Sequence, residues 1–246
     1  MSDVTPPPAP PTTPMWEDLV DIFTSPSAVF ERRKEDPTFF LPLVVVTVAI
    51  GVVLFLTKDL MSPIFDAEFA RGMAQAQRQN PNITPEQMEA GKGFARTMAT
   101  FGGFIIVPIA ICLVGMMTWA SGKVVSATTT FAQGMMIGAF AYVPKILGTV
   151  LGAVQAAVMD PASLTSQFSI HLGPARFFEV ASTSLVTMTL LGRLELFTLW
   201  STVLVAVGLK VTGKLSWTKA GVAAALVWVL AAALPLLGAM RAGGME

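Results

Sequence analysis

Five long apolar runs constrain this chain more than any other feature of its sequence. The first, residues 39–57, has 19 positions without a charged side chain. As a helix it is about 28 Å long, which matches the hydrocarbon core of a bilayer. Only 13% of all residues are charged, about half the fraction usual in soluble domains. The sequence predicts an all-α integral membrane protein, a bundle of five transmembrane helices with short interfacial helices. The other four spans are expected at residues 100–120, 131–158, 195–211 and 220–240.

A sixth apolar stretch, residues 177–191, is too short to be a further span. It has 15 residues, carries Glu179 and is rich in serine and threonine. If it continued into the fourth span, the helix would be roughly 52 Å long, so we expect a break at Gly192. We therefore interpret 177–191 as a re-entrant or interfacial segment within a membrane domain that covers residues 37–241.

Basic residues near the span ends predict the orientation of the chain. Arg32, Arg33 and Lys34 precede the first span. The short connection between the last two spans carries three lysines, at positions 210, 214 and 219. With five spans both groups lie on one side, and basic residues favour the cytoplasmic side. The expected topology has a cytoplasmic N-terminus and an external C-terminus.

Three segments outside the spans have their own patterns. Residues 1–15 are rich in proline, which predicts a disordered tail. Residues 60–98 predict an extramembrane helical hairpin whose second helix starts with a capping box at Thr84. Residues 16–36 predict two cytosolic amphipathic helices that either pack against the span ends or bind a partner. The apolar face of these helices has five residues, Trp16, Leu19, Val20, Phe23 and Phe30, whereas Glu17, Asp18 and Asp21 are expected on the opposite face.

Lys145 is the most informative single residue, because it lies near the middle of the third span. A lysine at the bilayer centre costs about 2.5 to 3.5 kcal/mol on insertion scales. Three interpretations remain open. The span is shifted so that Lys145 reaches an interface, or Lys145 forms a buried ion pair with Glu195 or Glu179, or it belongs to a substrate or proton pathway.

The third span also contains two G-x-x-x-G units. They consist of Gly134 with Gly138 and of Gly148 with Gly152. The units are 14 residues apart, about 40° short of four helical turns, so we expect both on nearly one face. Small residues at this spacing allow close helix contact. The partner is either another span of this chain or a second copy.

Composition and spacing argue against most kinds of catalytic or binding site. One cysteine and one histidine cannot form a zinc site, and His171 is expected to be an exposed loop residue. The surroundings of Lys123 lack the residues of a phosphate-binding loop, and no span holds a histidine that could activate a serine. We predict no catalytic residue, metal or cofactor. Zero net charge disfavours nucleic acid. The expected partners are the lipid bilayer and a protein partner or second copy, bound through the third span or the N-terminal segment.

Several short motifs, distributed over roughly residues 16–240, resemble the Yip family of Ypt/Rab-interacting membrane proteins, in particular its bacterial branch. The resemblance implies a five-span bundle with a cytosolic N-terminus and no catalytic residues. For the bacterial branch it also implies the cytoplasmic (inner) membrane. The motifs are Trp16-Glu17-Asp18-Leu19, Ile22-Phe23-Thr24-Ser25-Pro26, Phe30, Pro85-Glu86-Gln87, Phe140-Ala141-Tyr142-Val143-Pro144, Phe197-Thr198-Leu199-Trp200-Ser201 and Val207-Gly208-Leu209.

Eukaryotic members of the family are linked to vesicle traffic and prenylated Rab GTPases, whereas this chain has a short proline-rich tail in place of a long cytosolic domain. The first functional hypothesis is a non-enzymatic membrane protein that organises membranes or membrane protein complexes. The alternatives are a small transporter or channel with a site near Lys145, and an accessory subunit of a larger complex.

Overall fold

The computed structural model describes residues 14–243, and every regular element in this part of the chain is helical. Most of the predicted tail, residues 1–13, lies outside the described residues. Three short 3-10 turns, Pro161–Ser163, Gln167–Ile170 and Pro174–Phe177, separate α8 from α9. The α-helices are α1 Met15–Thr24, α2 Pro26–Arg33, α3 Phe40–Leu56, α4 Ser62–Gln79, α5 Pro85–Phe101, α6 Gly103–Val124, α7 Phe131–Ala141, α8 Val143–Val158, α9 Leu185–Gly192, α10 Leu196–Gly213 and α11 Trp217–Gly243.

Four helical segments of the described chain are long and apolar enough to cross a bilayer. They are Gly103–Val124, Phe131–Val158, Leu196–Gly213 and Trp217–Arg241. The apolar helix Phe40–Leu56 is shorter, with 17 residues, or about 26 Å. The predicted all-α membrane bundle is thus confirmed, while the count of five spans stays a prediction.

The third span is not one continuous helix, because it is interrupted at Tyr142 between α7 and α8. Pro144 lies at the start of α8 and has no N–H with which to continue the hydrogen-bond ladder of α7. The backbone N–H of Lys145 instead donates to the Tyr142 carbonyl at 2.9 Å. Pro108 in α6 and Pro235 in α11 lie inside helices that continue past them. The break at Tyr142 divides the central helix of the bundle into two halves with different neighbours.

Helix α7 forms the centre of the hydrophobic core, and each of its residues from Gly134 to Ala141 is buried. It packs against α6 and α10, whose buried side chains include Leu204 and Leu209. The ring of Phe30, from α2, meets the ring of Phe140 edge-on with 6.2 Å between centroids. The N-terminal helices therefore extend the core at one end of the bundle.

We call α1 and α2 the N-terminal cap, and the end of the bundle where they pack the cap end. The side-chain amide of Gln133, in the first turn of α7, donates to the Lys34 carbonyl at 2.8 Å. The hydroxyl of Thr129, in the turn before α7, meets that of Thr212, in the last turn of α10, at 3.0 Å. These contacts place the N-terminal cap beside both turns.

The opposite end of the bundle is formed by the α4–α5 hairpin and by residues 159–195. The capping box predicted at Thr84 is confirmed by its two hydrogen bonds with Gln87, at 3.0 and 3.3 Å. Helix α5 leads into α6 with only Gly102 between them. The N–H of Gln167 donates to Glu68 of α4 at 2.8 Å. Within 177–191 only Leu185 onward is α-helical, and this helix, α9, ends at the predicted Gly192 and packs on α11.

Candidate functional site

Lys145 and Glu195 form an ion pair where α8 and α10 begin. The Lys145 ammonium is 2.9 Å from Glu195 Oε2 and 2.5 Å from Thr198 Oγ1. Glu195 is also the N-cap of α10, and its carboxylate accepts the N–H groups of Phe197 and Thr198, both at 2.8 Å. The two charged side chains are 27% and 12% exposed. The carboxylate thus stabilises the lysine and satisfies the helix terminus at the same time.

Glu179, the other acidic partner considered for Lys145, is not a buried charge, and that prediction is wrong. Its side chain is exposed and accepts a hydrogen bond from the Ser182 hydroxyl at 3.2 Å. It lies in the turn between the last 3-10 turn and α9. The Glu179 carboxylate therefore bonds to a neighbouring hydroxyl, whereas Lys145 pairs with Glu195.

Arg193, in the connection between α9 and α10, adds a second cation close to this pair. Its guanidinium donates to the Trp228 carbonyl at 2.9 Å, and the Trp228 indole N–H donates to the Arg193 carbonyl at 3.3 Å. The guanidinium also lies over the indole ring, 5.4 Å from its centroid. Burial lowers the pKa of Arg193. The arginine therefore attaches the α9–α10 connection to the middle of α11.

A cleft of about 330 Å³ opens beside the ion pair. His171 lines this cleft, so the prediction of an exposed loop histidine is wrong. Its Nδ1 atom is buried and has no hydrogen-bond partner among the described residues. Burial lowers the pKa of His171, with a raising effect from Glu195 and a further lowering effect from Lys145. The 3-10 segment that carries His171 folds back over α8, which no local sequence pattern indicates.

The two G-x-x-x-G units contact different neighbours, so the expectation of one common face is wrong. A Cβ on Gly134 would lie 3.0 Å from the Gly115 carbonyl oxygen in α6, and one on Gly138 would lie 2.7 Å from the Gly115 backbone. The second unit faces other elements, Gly148 the ring of Phe197 and Gly152 the side chain of Ile170. The interruption at Tyr142 separates the two units. Gly134, Gly138 and Gly152 are buried within the chain and Gly148 is half-buried, so both units contact other elements of the same chain.

The N-terminal cap is held by a buried carboxylate, contrary to the prediction that Asp18 faces solvent. Asp18 is fully buried, and its two oxygens accept from Arg32 at 2.5 and 3.0 Å and from Arg33 at 2.6 Å. The buried face of α1 is consequently rotated from the predicted one. It includes Ile22, which is fully buried, whereas Trp16 and Val20 are 64% and 60% exposed.

The other residues predicted on the apolar face of the N-terminal segment pack into the core. Leu19 and Phe23 are partly buried against the main hydrophobic cluster, and Phe30 is fully buried in it. Asp21 accepts one further hydrogen bond from Arg32, at 2.7 Å. The N-terminal cap therefore has one face that belongs to the bundle and one apolar face, at Trp16 and Val20, that does not.

The cleft can bind a ligand through an ammonium and an imidazole, but it does not assemble a recognisable catalytic group. No cluster of three or more His, Cys, Asp or Glu side chains suited to a metal ion occurs in residues 14–243. The hydroxyl closest to the charged pair, Thr198 Oγ1, donates to Glu195 at 2.9 Å and accepts from Lys145. This geometry holds the threonine hydroxyl between the carboxylate and the ammonium, as part of the ion pair.

Comparisons with known proteins agree with a membrane bundle. The family model of the Yip1 domain matches residues 20–240. A curated relative, the membrane protein YknW of Bacillus subtilis (strain 168), is 28% identical over 215 residues, which cover 85% of this chain and 84% of the relative. No solved structure matches the chain significantly.

Proposed function

The chain belongs to the Yip1 domain family, and from this premise we propose that it is a non-catalytic integral membrane protein that organises protein complexes in the bilayer. It presents the N-terminal cap to a partner protein at the membrane surface. The Yip1 domain and the membrane-protein relative both point to a membrane protein without catalytic activity. The protein works in this proposal as a scaffold whose bundle anchors a preformed contact surface.

The observation that carries this proposal is the way the N-terminal cap is fixed. Asp18 and its two arginines tie α1 to α2, while Ile22, Val29 and Phe30 are fully buried in the core. The cap is therefore a rigid extension of the bundle. A surface held rigid before binding loses little conformational entropy on association.

The exposed part of the cap has the composition of a contact surface. Trp16 and Val20 are one helical turn apart on α1 and are both more than half exposed. Tryptophan is enriched among residues that dominate binding energy in protein interfaces. Glu17, between them in sequence, gives this apolar surface an acidic border. We infer a partner segment with apolar side chains flanked by basic residues.

The orientation that goes with this proposal places the cap end in the cytoplasm. Basic residues favour the cytoplasmic side of short loops. Arg33 and Lys34 end the N-terminal cap, and Gln133 and the Thr129–Thr212 hydrogen bond bring the turn that carries Lys214 to the same end of the bundle. The partner is then a cytoplasmic protein or the cytoplasmic segment of another membrane protein.

Photo-crosslinking in native membranes tests the proposal. A photoreactive amino acid replaces Trp16 or Val20, and the matched control replaces Val158, which is 79% exposed at the opposite end of the bundle. We expect one discrete protein adduct from positions 16 and 20 that is absent from position 158. Adducts with lipid alone at all three positions would overturn the scaffold function.

Native mass spectrometry after extraction in a mild detergent gives a second readout. Wild-type protein should carry a stoichiometric protein partner, and Val20→Ser should lose it while keeping the thermal stability of the wild type. Val158→Ser, the same change at a similarly exposed valine, should retain the partner. If the wild type is isolated without any protein partner, the scaffold proposal is wrong.

A further inference from the structure

The cleft beside Lys145 has a polar side and apolar walls. The scaffold proposal gives this cleft no role. Its polar side carries Lys145, Glu195 and His171, and its apolar walls include Leu54, Ile170 and Phe197. These residues come from α3, α8, α10 and the 3-10 segment. A concave site of this size, apolar with a few convergent polar groups, is typical of small-molecule binding sites.

In the ion pair, the group that can still form a hydrogen bond is the donor, Lys145. Glu195 Oε1 accepts from Phe197, and Oε2 accepts from Lys145 and from both the N–H and the hydroxyl of Thr198. An ammonium has three N–H bonds, and within the described chain those of Lys145 have two acceptors, Glu195 and Thr198. The carboxylate is saturated, whereas the ammonium can donate one further hydrogen bond.

His171 supplies a second group without a partner at the same place. Its Nδ1 atom is buried and unbonded within residues 14–243, and its ring is held edge-on by Phe168, 5.2 Å between centroids. It lies within electrostatic reach of both Lys145 and Glu195. Because Nδ1 is shielded within the chain, the ring nitrogen that remains for a ligand in the cleft is Nε2, which donates when the neutral imidazole carries its proton there. Lys145 and His171 therefore both line the cleft as hydrogen-bond donors for the head group of a ligand.

The formal charges of Lys145, Arg193 and Glu195 favour the binding of an anion. Arg193 lies within electrostatic reach of Lys145. Its guanidinium bonds to a backbone carbonyl and forms no ion pair with a carboxylate of residues 14–243. Lys145 and Arg193 carry two positive charges against the single negative charge of Glu195. Because like charges are costly in a poorly solvated site, a bound monoanion would relieve this imbalance.

We propose that this cleft binds a monoanionic amphiphile, with its head group on Lys145 and His171 and its alkyl chain along the apolar wall at Leu54, Ile170 and Phe197. Two sources share this chemistry, an acidic phospholipid of the bilayer and a free fatty acid. Glu195 keeps Lys145 in position, and the ligand accepts hydrogen bonds from the N–H groups that the ion pair does not use.

Binding is measured by native mass spectrometry on the full chain in detergent. Dioleoylphosphatidylglycerol represents the acidic phospholipid and oleate the fatty acid, and dioleoylphosphatidylcholine is the zwitterionic control. We expect one tightly bound phosphatidylglycerol or oleate per chain and at least about ten-fold weaker binding of phosphatidylcholine. Phosphatidylcholine offers the same phosphate oxygens, but its choline cation cancels the negative charge that would balance Lys145 and Arg193.

The variants assign this binding to the cleft. Lys145→Met should weaken binding of the anionic ligand about ten-fold, whereas Lys210→Met, near the other end of α10, should leave it unchanged. His171→Phe keeps the ring shape and the ion pair, and it should weaken binding even if Lys145→Met fails to fold. Selective binding of phosphatidylglycerol assigns the ligand to the bilayer, and selective binding of oleate assigns it to the fatty acid. Equal binding of phosphatidylcholine, or wild-type affinity in both cleft variants, would overturn the proposal.

Discussion

Two clusters of charged side chains, one in the N-terminal cap and one beside the cleft, differ in how completely their hydrogen bonds are satisfied. In the cap, fully buried Asp18 is enclosed by Arg32 and Arg33, with both oxygens bonded. Beside the cleft, the Glu195 carboxylate is 12% exposed, and the Lys145 ammonium has two acceptors for its three N–H bonds. The clusters have similar charges and comparable distances, but only the second is adjacent to a cavity.

This difference indicates which cluster builds the fold and which is free to bind. A fully buried carboxylate with both oxygens hydrogen-bonded to cations contributes a defined geometry, and its removal leaves positive charge less well compensated. A pair that lines a cavity with an unsatisfied donor can interact with something outside the chain. We infer that the Asp18 cluster fixes the N-terminal cap, whereas the Lys145 cluster binds a ligand.

The largest effect is expected for Asp18→Asn. The change removes the fully buried negative charge that accepts from Arg32 and Arg33, which should reduce the free energy of unfolding by about 3 kcal/mol. Thermal unfolding in detergent, with protease cleavage between α2 and α3 as a local readout, measures it. Asp21→Asn is the control, because Asp21 is 36% exposed and surface ion pairs contribute about 1 kcal/mol or less. An equal loss of unfolding free energy for Asp18→Asn and Asp21→Asn would contradict the structural role of the buried Asp18 carboxylate.

A smaller effect is expected for Gly138→Ala, which probes the tightly packed half of the third span. Its new Cβ would lie 2.7 Å from the backbone of Gly115, so the helices must separate at a cost of about 2 kcal/mol. Gly152→Ala in the cleft half meets only the tip of the Ile170 side chain at 3.3 Å. That contact can relax, and the higher helix propensity of alanine, about 1 kcal/mol, offsets it. In thermal unfolding, Gly138→Ala should lower the unfolding temperature clearly more than Gly152→Ala. An equal decrease for both variants would refute the distinction between the two halves of the third span.

The next effect concerns the ion pair itself. Glu195→Gln retains an oxygen that can accept the N–H groups at the start of α10, but it leaves the Lys145 charge uncompensated. We expect a loss of about 1.5 kcal/mol, less than for a fully buried pair. Lys145→Met should partly rescue this variant, with a coupling energy of about 1 kcal/mol in a double-mutant cycle. Strictly additive effects would show that the two groups do not interact in the folded protein.

The smallest effect is a pH dependence at His171. Since burial lowers its pKa below the ordinary value of about 6.5, the folded protein binds fewer protons than the unfolded chain in mild acid. Its contribution to stability is complete above about pH 6.5 and is lost as the pH falls through the lowered pKa. Glu195 and Lys145 are the charged groups that face it. Between pH 7.5 and pH 5, the free energy of unfolding should decrease less steeply for His171→Phe than for the wild type. Equal slopes against pH would contradict this assignment.

The sequence predicts the membrane helices well because each is a nearly uncharged apolar run, and hydropathy alone locates such runs. The capping box at Thr84 and the break at Gly192 are also local signals. Lys145 stands out because a lone charge inside an apolar run needs a partner. Glu195 was one of two acidic candidates, and 50 residues separate it from Lys145 in the chain.

The sequence does not predict what depends on distant contacts. A helical wheel assigns Asp18 to solvent, because it does not include the two arginines that fold back from α2. His171 looks like a loop residue, and nothing local shows that its segment covers the start of α8. The role of Arg193 likewise depends on Trp228, which lies in another helix. The adjacent basic residues Arg32 and Arg33 were the one available signal for the burial of Asp18.

Lipid-induced thermal stabilisation of three proteins tests the distinction between the two clusters most directly. Unfolding temperatures of the wild type, Asp18→Asn and Lys145→Met are recorded in detergent with increasing dioleoylphosphatidylglycerol or oleate. We predict that Asp18→Asn starts from a lower temperature yet gains the same stabilisation as the wild type from the ligand that binds. Lys145→Met should lose most of that gain. Equal stabilisation of all three proteins, or a loss confined to Asp18→Asn, would contradict the assignment of binding to the cleft and of structural support to the cap.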